Sequence, residues 1–582
     1  MNHTRRPFLE GLGATGFVAA FPAAAATARP ASPDFGPDVF IVDPGMTAEV
    51  VQTRVDTIFR EQERAHSTNA RHAILFKPGH YSVDVNVGFF MQVVGLSCLP
   101  GDVAIVGHVH AEADWVKGMA LVNFRREVEN LSVRPTDGAD RWAVSQAAPY
   151  RRVHLHGDLA LDDGGWSSGG FFTDCQIDGT VLSGTQQQWF TRNSHIGARR
   201  GSNWTMMFAG VEGAPPTGFP EPPYTSLPTV PLIRAKPFPH LMRSGEWAVF
   251  VPALRRKTRG TSWTDGAPAG TFIPLSRFLI AHSDTPVSAV NAALTKGKHL
   301  LHTPGIYRIR EPLRIEHAGM VVPGLGLSTL LAERGSAAII VADVPGVAIA
   351  GLLIDAGPVE TPVLVQIGPR GAKRDHSRNP TLLADPFFRV GGATVGKAQT
   401  CLEINSHHVI SDHLWIWRAD HGDRDAGRVH VGWTESTAGQ GLIVNGDDVT
   451  VHGLFVEHFQ KYQMTWNGDC GRTYFYQCEL PNDPPNQASY ISGKRKAGPR
   501  TRSRTLSRHT RQLALASMPT LPLTPRSCWA ARSRHRDDPE SGLPVSRRSR
   551  SAPSQGTVAL LVNYSGAAAR PGAVRQTLTR YP

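Results

Sequence analysis

An all-β chain made of two tandem right-handed parallel β-helices, joined by a Pro-rich linker, is what the sequence predicts. Two observations carry this. A block of apolar strand, Pro-Gly turn and second strand occurs twice, about 226 residues apart. Within each copy, short alternating strands follow one another, with spacings of about 22, 23 and 19 residues in the first copy and longer loops in the second. Stacked coils of one strand pattern require such spacing. A Greek-key sandwich would instead show turn signals about every 8–12 residues, and these are scarce.

Taken in order, residues 1–28 are expected to be a twin-arginine export signal. Arg5 and Arg6 precede an apolar stretch from Phe17 to Ala26, and Ala26-Thr27-Ala28 has the small-residue pattern of a cleavage site. A secreted, extracellular protein follows, and residues up to 35 are set aside from the fold. The first β-helix is expected over 36–213. It opens with helical spacing at Val50, Val51, Val55 and Ile58, then the strand–turn–strand Ala73 to Tyr81 around Pro78-Gly79. Seven prolines within 215–231 read as a stiff connector, so 214–284 is assigned to a linker and interdomain strands. The second β-helix is expected over 285–491. It repeats the opening at Val287, Val290 and Leu294, then Leu300 to Tyr307 around Pro304-Gly305.

From 492 to 555 the alternation stops and Arg, Ser, Pro and Thr dominate. The pattern returns in 556–582, with Thr557 to Tyr564. A disordered basic tail for a polyanion is one reading. The abrupt stop and return favour the other, a displaced reading frame of a GC-rich gene, which would damage the last coils.

That segment also explains the net charge of +12. Lys494 to Arg550 contains fifteen basic and three acidic residues, the whole of the excess. The remaining chain is neutral, and no nucleic-acid partner is expected. Six cysteines in 582 residues, without paired CxxC motifs, exclude a disulfide scaffold and a zinc finger. No apolar run is long enough for a transmembrane helix, so no membrane association is expected after signal removal. His421 and Asp423 resemble half a metal site but lack partners at ligand spacing. No metal site and no cofactor is expected, and a monomer is.

Two carboxylates are the candidates for chemistry. Glu457 and Glu479 lie 22 residues apart, about one coil. Equivalent positions on successive coils stack roughly 4.8 Å apart, so both can share one face beside Trp466, Tyr474 and Tyr476. Glycoside hydrolysis needs such a pair, one carboxyl to protonate the leaving oxygen and one to handle water or attack the sugar. Burial and mutual repulsion would raise one of their pKa values. The spacing is met equally by two solvated carboxylates. Near Trp142, Ser145 and Gln146, and in the Gly-rich turn around Trp166 and Ser168, small polar groups adjoin tryptophan as a sugar cleft would need, and structural turns also account for them.

Several stretches resemble bacterial members of glycoside hydrolase family 55: Trp142 to Arg152, Ser167 to Phe171, Gln186 to Phe190, Gly453 to Gln463 and Arg472 to Pro485. The resemblance covers about 38–491 and 557–582. It implies two tandem pectin-lyase-like β-helices with a cleft between them, and inverting exo-hydrolysis of β-1,3-glucan without a cofactor. Carried over by motif, Glu479 would be the general acid, while Glu457, Gln146 and Ser168 would hold and polarise the attacking water. Trp166, Gln188, Trp466, Tyr474 and Tyr476 are candidates for substrate contact. A β-helical carbohydrate-binding or wall-associated protein without turnover is the alternative. A polysaccharide lyase would want a Lys or Arg base and clustered acidic Ca²⁺ ligands.

Overall fold

A computed structural model describes residues 32–219, 221–422, 430–486 and 489, and the backbone of short strands at 491–492, 495–496, 501–503 and 511–517. The expected export signal, the terminal strands of 556–582 and most of 492–555 lie outside the described residues.

The duplication is visible atom by atom. In the first copy the strand Val39–Val42, the helix Ala48–Gln62 and the strand His72–Phe76 follow in order. In the second, Phe278–Ala281, the helix Val287–Thr295 and His299–His302 repeat it. In both, the flanking strands pair in parallel. The side chain of Thr47 caps the first helix by accepting from the Val50 amide, and Val51, Val55 and Ile58 are buried. Val50, grouped with them by sequence, is exposed. The tyrosine after each Pro-Gly turn locks the opening. Tyr81 donates to the carbonyls of Val42 and Lys77, and Tyr307 to those of Ala281 and Thr303.

Each copy then winds into a parallel β-helix. The main ladder of the first runs from Val39–Val42 through Met91–Gly95, Arg126–Arg134, Pro149–Leu155, Gly170–Thr173, Gln188–Arg192 and Thr205–Ala209 to Tyr224–Leu227. The main ladder of the second runs from Ile306–Ile309 through Thr329–Ala332, Ala348–Ala356, Leu382–Val390, Ile410–Arg418, Thr450–Glu457 and Arg472–Glu479 to Arg511–Ser517. A second sheet of that solenoid runs from Leu313–Ile315 to Tyr462–Trp466 and Thr501–Ser503. Two strands inside 492–555 therefore extend the two ladders by one rung. The inward side chains of each solenoid form its own apolar core, rich in Val, Ile and Leu.

The Pro-rich stretch is not simply an extended connector. Tyr224–Leu227 pairs with Thr205–Ala209 as the last rung of the first ladder, because its alternate residues present free backbone donors between the prolines. The chain then turns antiparallel. Val230–Ile233 pairs with Arg255–Thr258, and Phe238–Leu241, Trp247–Pro252 and Gly270–Pro274 form a small meander.

Each main ladder bends at a column of residues with left-handed backbone. In the first solenoid it consists of Asn130, Arg152, Asp174, Asn193 and Gly210; in the second, of Gly351, Asp385, His413, Gly453 and Phe475. Neighbours on both sides stay in register from rung to rung. The two bends face one another. His413 stacks on Phe171 and Phe475 on Phe190. Beside them, Arg151 binds Asp385 and Asp412, and Arg192 binds Asp412, all buried. The Lys236 ammonium, delivered by the connector, pairs with Glu127 and Glu129. A buried charge without a partner costs several kcal/mol, so these pairs fix how the solenoids dock.

Candidate active site

Glu457 and Glu479 are the last residues of adjacent strands and stand in register, as the one-coil spacing predicted. Their column continues down the sheet through Trp417, Arg389 and Asp355. Both carboxyls are buried, at 3% and 5% exposure, although the strand ends there.

Groups from both solenoids converge on Glu457. Gln146 of the first donates its amide to Oε1 at 2.9 Å, and Trp415, one rung below, donates its indole N–H to Oε2 at 2.8 Å. The Trp415 ring stacks on Trp417, with centroids 4.7 Å apart, and the buried Arg125 guanidinium lies 4.9 Å from the Trp415 ring centre. Gln146 is placed by its turn. Ser145 Oγ donates to the Ala120 carbonyl and accepts from the Ser168 amide, and Gln188 donates to Ser168 Oγ at 3.1 Å. Gly169 sits at φ +90°, and a Cβ there would lie 3.0 Å from the Gln146 amide. A side chain at 169 would thus press on the amide that holds Glu457.

Glu479 is held by different partners. Gln477 donates to its Oε1 at 3.2 Å, and His458 Nε2 lies 3.3 Å from its Oε2. His458 occupies a left-handed position, φ 66°, and its own amide donates to the Glu479 carbonyl. On its other side, Nδ1 faces Asp420 at 3.7 Å, and Asp420 is bonded by His421 and Asn482. Burial favours neutral His458, but Asp420, Glu479 and Glu457 together outweigh it and raise its pKa to about 9. Burial and the neighbouring Glu479 push Glu457 up to about 8, against the pull of His458 and Trp415. At neutral pH Glu457 is therefore protonated, beside a cationic His458.

Of the residues proposed from sequence, Glu457, Glu479, Gln146, Ser168 and Gln188 come together here. Trp166 is half-buried two residues before Ser168, in the same turn. Three do not reach the cleft as expected. Trp466 and Tyr476 point into the core of the second solenoid, since alternation along their strands turns them inward. Tyr474 lies between the solenoids, stacked on His452, because the left-handed backbone at Phe475 breaks the alternation. Trp415, His458 and Asp420 were missed. His458 adjoins Glu457 in sequence, whereas nothing in the spacing announces Trp415 or Asp420. His421 serves Asp420, and Asp423 lies outside the described residues.

Two buried carboxyls in register on adjacent rungs, set where two parallel β-helices meet, define a glycoside hydrolase, and the relatives agree. Residues 278–479 match the model of the LAM55 pectate lyase-like domain. An exo-β-1,3-glucanase of Streptomyces sp. (strain SirexAA-E / ActE) is 46% identical over 463 residues, covering 79% of this chain and 75% of the relative. The solved structure of sacteLam55A from Streptomyces sp. SirexAA-E superposes with a TM-score of 0.78 at 45% identity, over 81% of this chain and 85% of that one. A glutamate-to-alanine variant of that protein, solved in complex with glucose, matches equally well. The chain belongs to glycoside hydrolase family 55.

Proposed function

We propose that this chain is a secreted, monomeric hydrolase that releases glucose from the end of β-1,3-glucan with inversion. The name of its 46% identical relative supports the substrate. The observation that carries the mechanism is the bond from Gln146 to Glu457 across the solenoid interface, with Glu479 in register on the next rung. Glu479 protonates the leaving oxygen, and Glu457, with Gln146 and Ser168, holds the attacking water. Glu457 has to lose its proton before it can polarise that water.

An inverting pair needs roughly 6.5–9.5 Å between carboxyls and a retaining pair about 5–5.5 Å, while adjacent strands lie only about 4.8 Å apart. Different partners anchor the two carboxyls, Gln146 and Trp415 that of Glu457, His458 and Gln477 that of Glu479. This separate anchoring supports inversion.

The anomer first released from laminarin, read by NMR, should be α-glucose; β-glucose would mean retention. Glu479→Gln should lose laminarin hydrolysis yet keep turnover of a glucoside with an activated leaving group, which needs no acid. Glu457→Gln should lose both. The reverse pattern would exchange the two roles. Export rests on the Arg5-Arg6 motif, and replacing both by lysine should leave the protein inside the cell. The second reading, a glucan-binding protein without turnover, is favoured by the composition of 492–555. Resequencing codons 488–560 and assaying laminarin separates the two. A printed frame that is confirmed, with laminarin bound but intact, decides for binding.

A further inference from the structure

On the outside of the first solenoid, away from its apolar core, two imidazoles and a carboxylate converge from successive coils. His154 and His156 belong to the end of the rung Pro149–Leu155 and the residue after it. Asp178 lies on Gln176–Leu182, whose Gln176 and Ile177 are in register with His154 and Leu155. His154 Nε2 is 3.0 Å from Asp178 Oδ1, and His156 Nδ1 is 3.0 Å from Oδ2. The two rings lie 3.9 Å apart between centroids, and one ligand atom from each residue lies within 4.8 Å of the others. Ligand atoms around a tetrahedral Zn²⁺, each at about 2.0–2.1 Å, are about 3.3 Å from one another. The two imidazole–carboxylate separations, 3.0 Å each, are already close to that value.

The chemistry also fits. Gln176 donates to Asp178 Oδ1 at 2.9 Å and so orients that carboxylate. Ser132 contacts the far nitrogen of His156 and so orients that ring. The three side chains remain 20%, 23% and 40% exposed, which leaves an entry path and room for water as a fourth ligand. A different acidic grouping, Glu127, Glu129 and Asp385, is already filled by the Lys236 ammonium. No cationic side chain reaches Asp178 among the described residues apart from its own histidines.

We propose that His154, His156 and Asp178 form a site for one divalent transition ion of the Zn²⁺ class, clipping one coil of the first solenoid to the next. Two imidazoles and one carboxylate select such ions over Ca²⁺ or Mg²⁺, which prefer all-oxygen shells. Trp263 of the connector packs against His154 and bonds the Asp174 carbonyl, so the same ion would stiffen the place where the connector docks.

The test is calorimetric titration of the full chain, free of any histidine tag and stripped with chelator, with ZnCl₂ and separately with CaCl₂. One equivalent of zinc should bind at this site, with no comparable uptake of calcium, and the midpoint of thermal unfolding should rise. Changing only the groups that hold a ligand in place weakens metal sites by about 10–100-fold, so the double variant His154→Gln, His156→Gln should lose at least about tenfold in affinity and the thermal shift with it. Asp178→Asn, which can still bond Gln176, gives the same reading if the double variant misfolds. Zinc bound equally by the variants, calcium bound as tightly as zinc, or no zinc bound at all would each overturn the assignment.

Discussion

A cationic His458 beside Glu479 should be detectable by removing it. Asparagine is the replacement of choice, because position 458 has φ 66° and asparagine tolerates that backbone better than most residues. The ring's pKa stands at about 9 against an ordinary value of about 6.5. At 1.36 kcal/mol per pH unit, the difference is an attraction of about 3 kcal/mol to its carboxylates, net of burial. By reciprocity His458 holds the Glu457 pKa down. With the attraction spread over the three carboxyls that face the ring, Glu457 receives about 1 kcal/mol, so His458→Asn should raise an apparent pKa of kcat/KM by on the order of one pH unit. The assay is laminarin hydrolysis between about pH 5 and 10. Stability supplies a second reading. A group whose folded pKa is raised stabilises the fold fully below its unfolded value and loses that contribution as pH rises through the folded one. Wild type should therefore exceed the variant in thermal stability most at about pH 6, and the gap should narrow through about pH 9. Superimposable rate profiles together with a pH-independent stability gap would refute a charged His458.

Four further substitutions probe the frame that carries the site. Trp415→Phe keeps the ring stack but removes the donor to Glu457; a bond to a charged or titrating group is worth about 1.5–3 kcal/mol, so kcat should fall roughly 10–150-fold with KM little changed in steady-state kinetics. Asp412→Ala leaves Arg151 and Arg192 short of a buried partner, and should cost about 3–5 kcal/mol, read in denaturant unfolding. Tyr81→Phe and Tyr307→Phe each remove the hydroxyl that closes one copy's opening, and should lower stability by similar amounts, about 1–2 kcal/mol. A loss from only one of them would show that the two openings are not equivalent.

The fold was legible because a coil repeats its own hydrophobic pattern: Val93-Val94 and Val321-Val322 advertise the same rung in both copies. The carboxylate pair was legible for the same reason, since one coil's length separates Glu457 from Glu479 and register does the rest. What alternation could not convey is which way a side chain faces after a break in alternation. Tyr474 and Tyr476 are two apart, which suggests a shared face, yet the left-handed residue between them sends one outward and the other into the core. Gln146 and Trp415 reach Glu457 from 311 and 42 residues away, distances set by how the solenoids dock and how rungs stack. His154 and His156 read as an ordinary strand, because their third partner lies on the next coil.

The columns of left-handed residues carry a consequence for how such a protein can change. In the second solenoid, successive members of the column are 34, 28, 40 and 22 residues apart, so the intervening loops differ widely in length. Yet Glu457 follows Gly453, and Glu479 follows Phe475, by the same four residues. The address of each carboxylate is counted from the bend and is blind to the loop before it. Loop length, which shapes what the cleft admits, and the placement of the reacting groups are thus inherited separately, and selection can alter the first without disturbing the second.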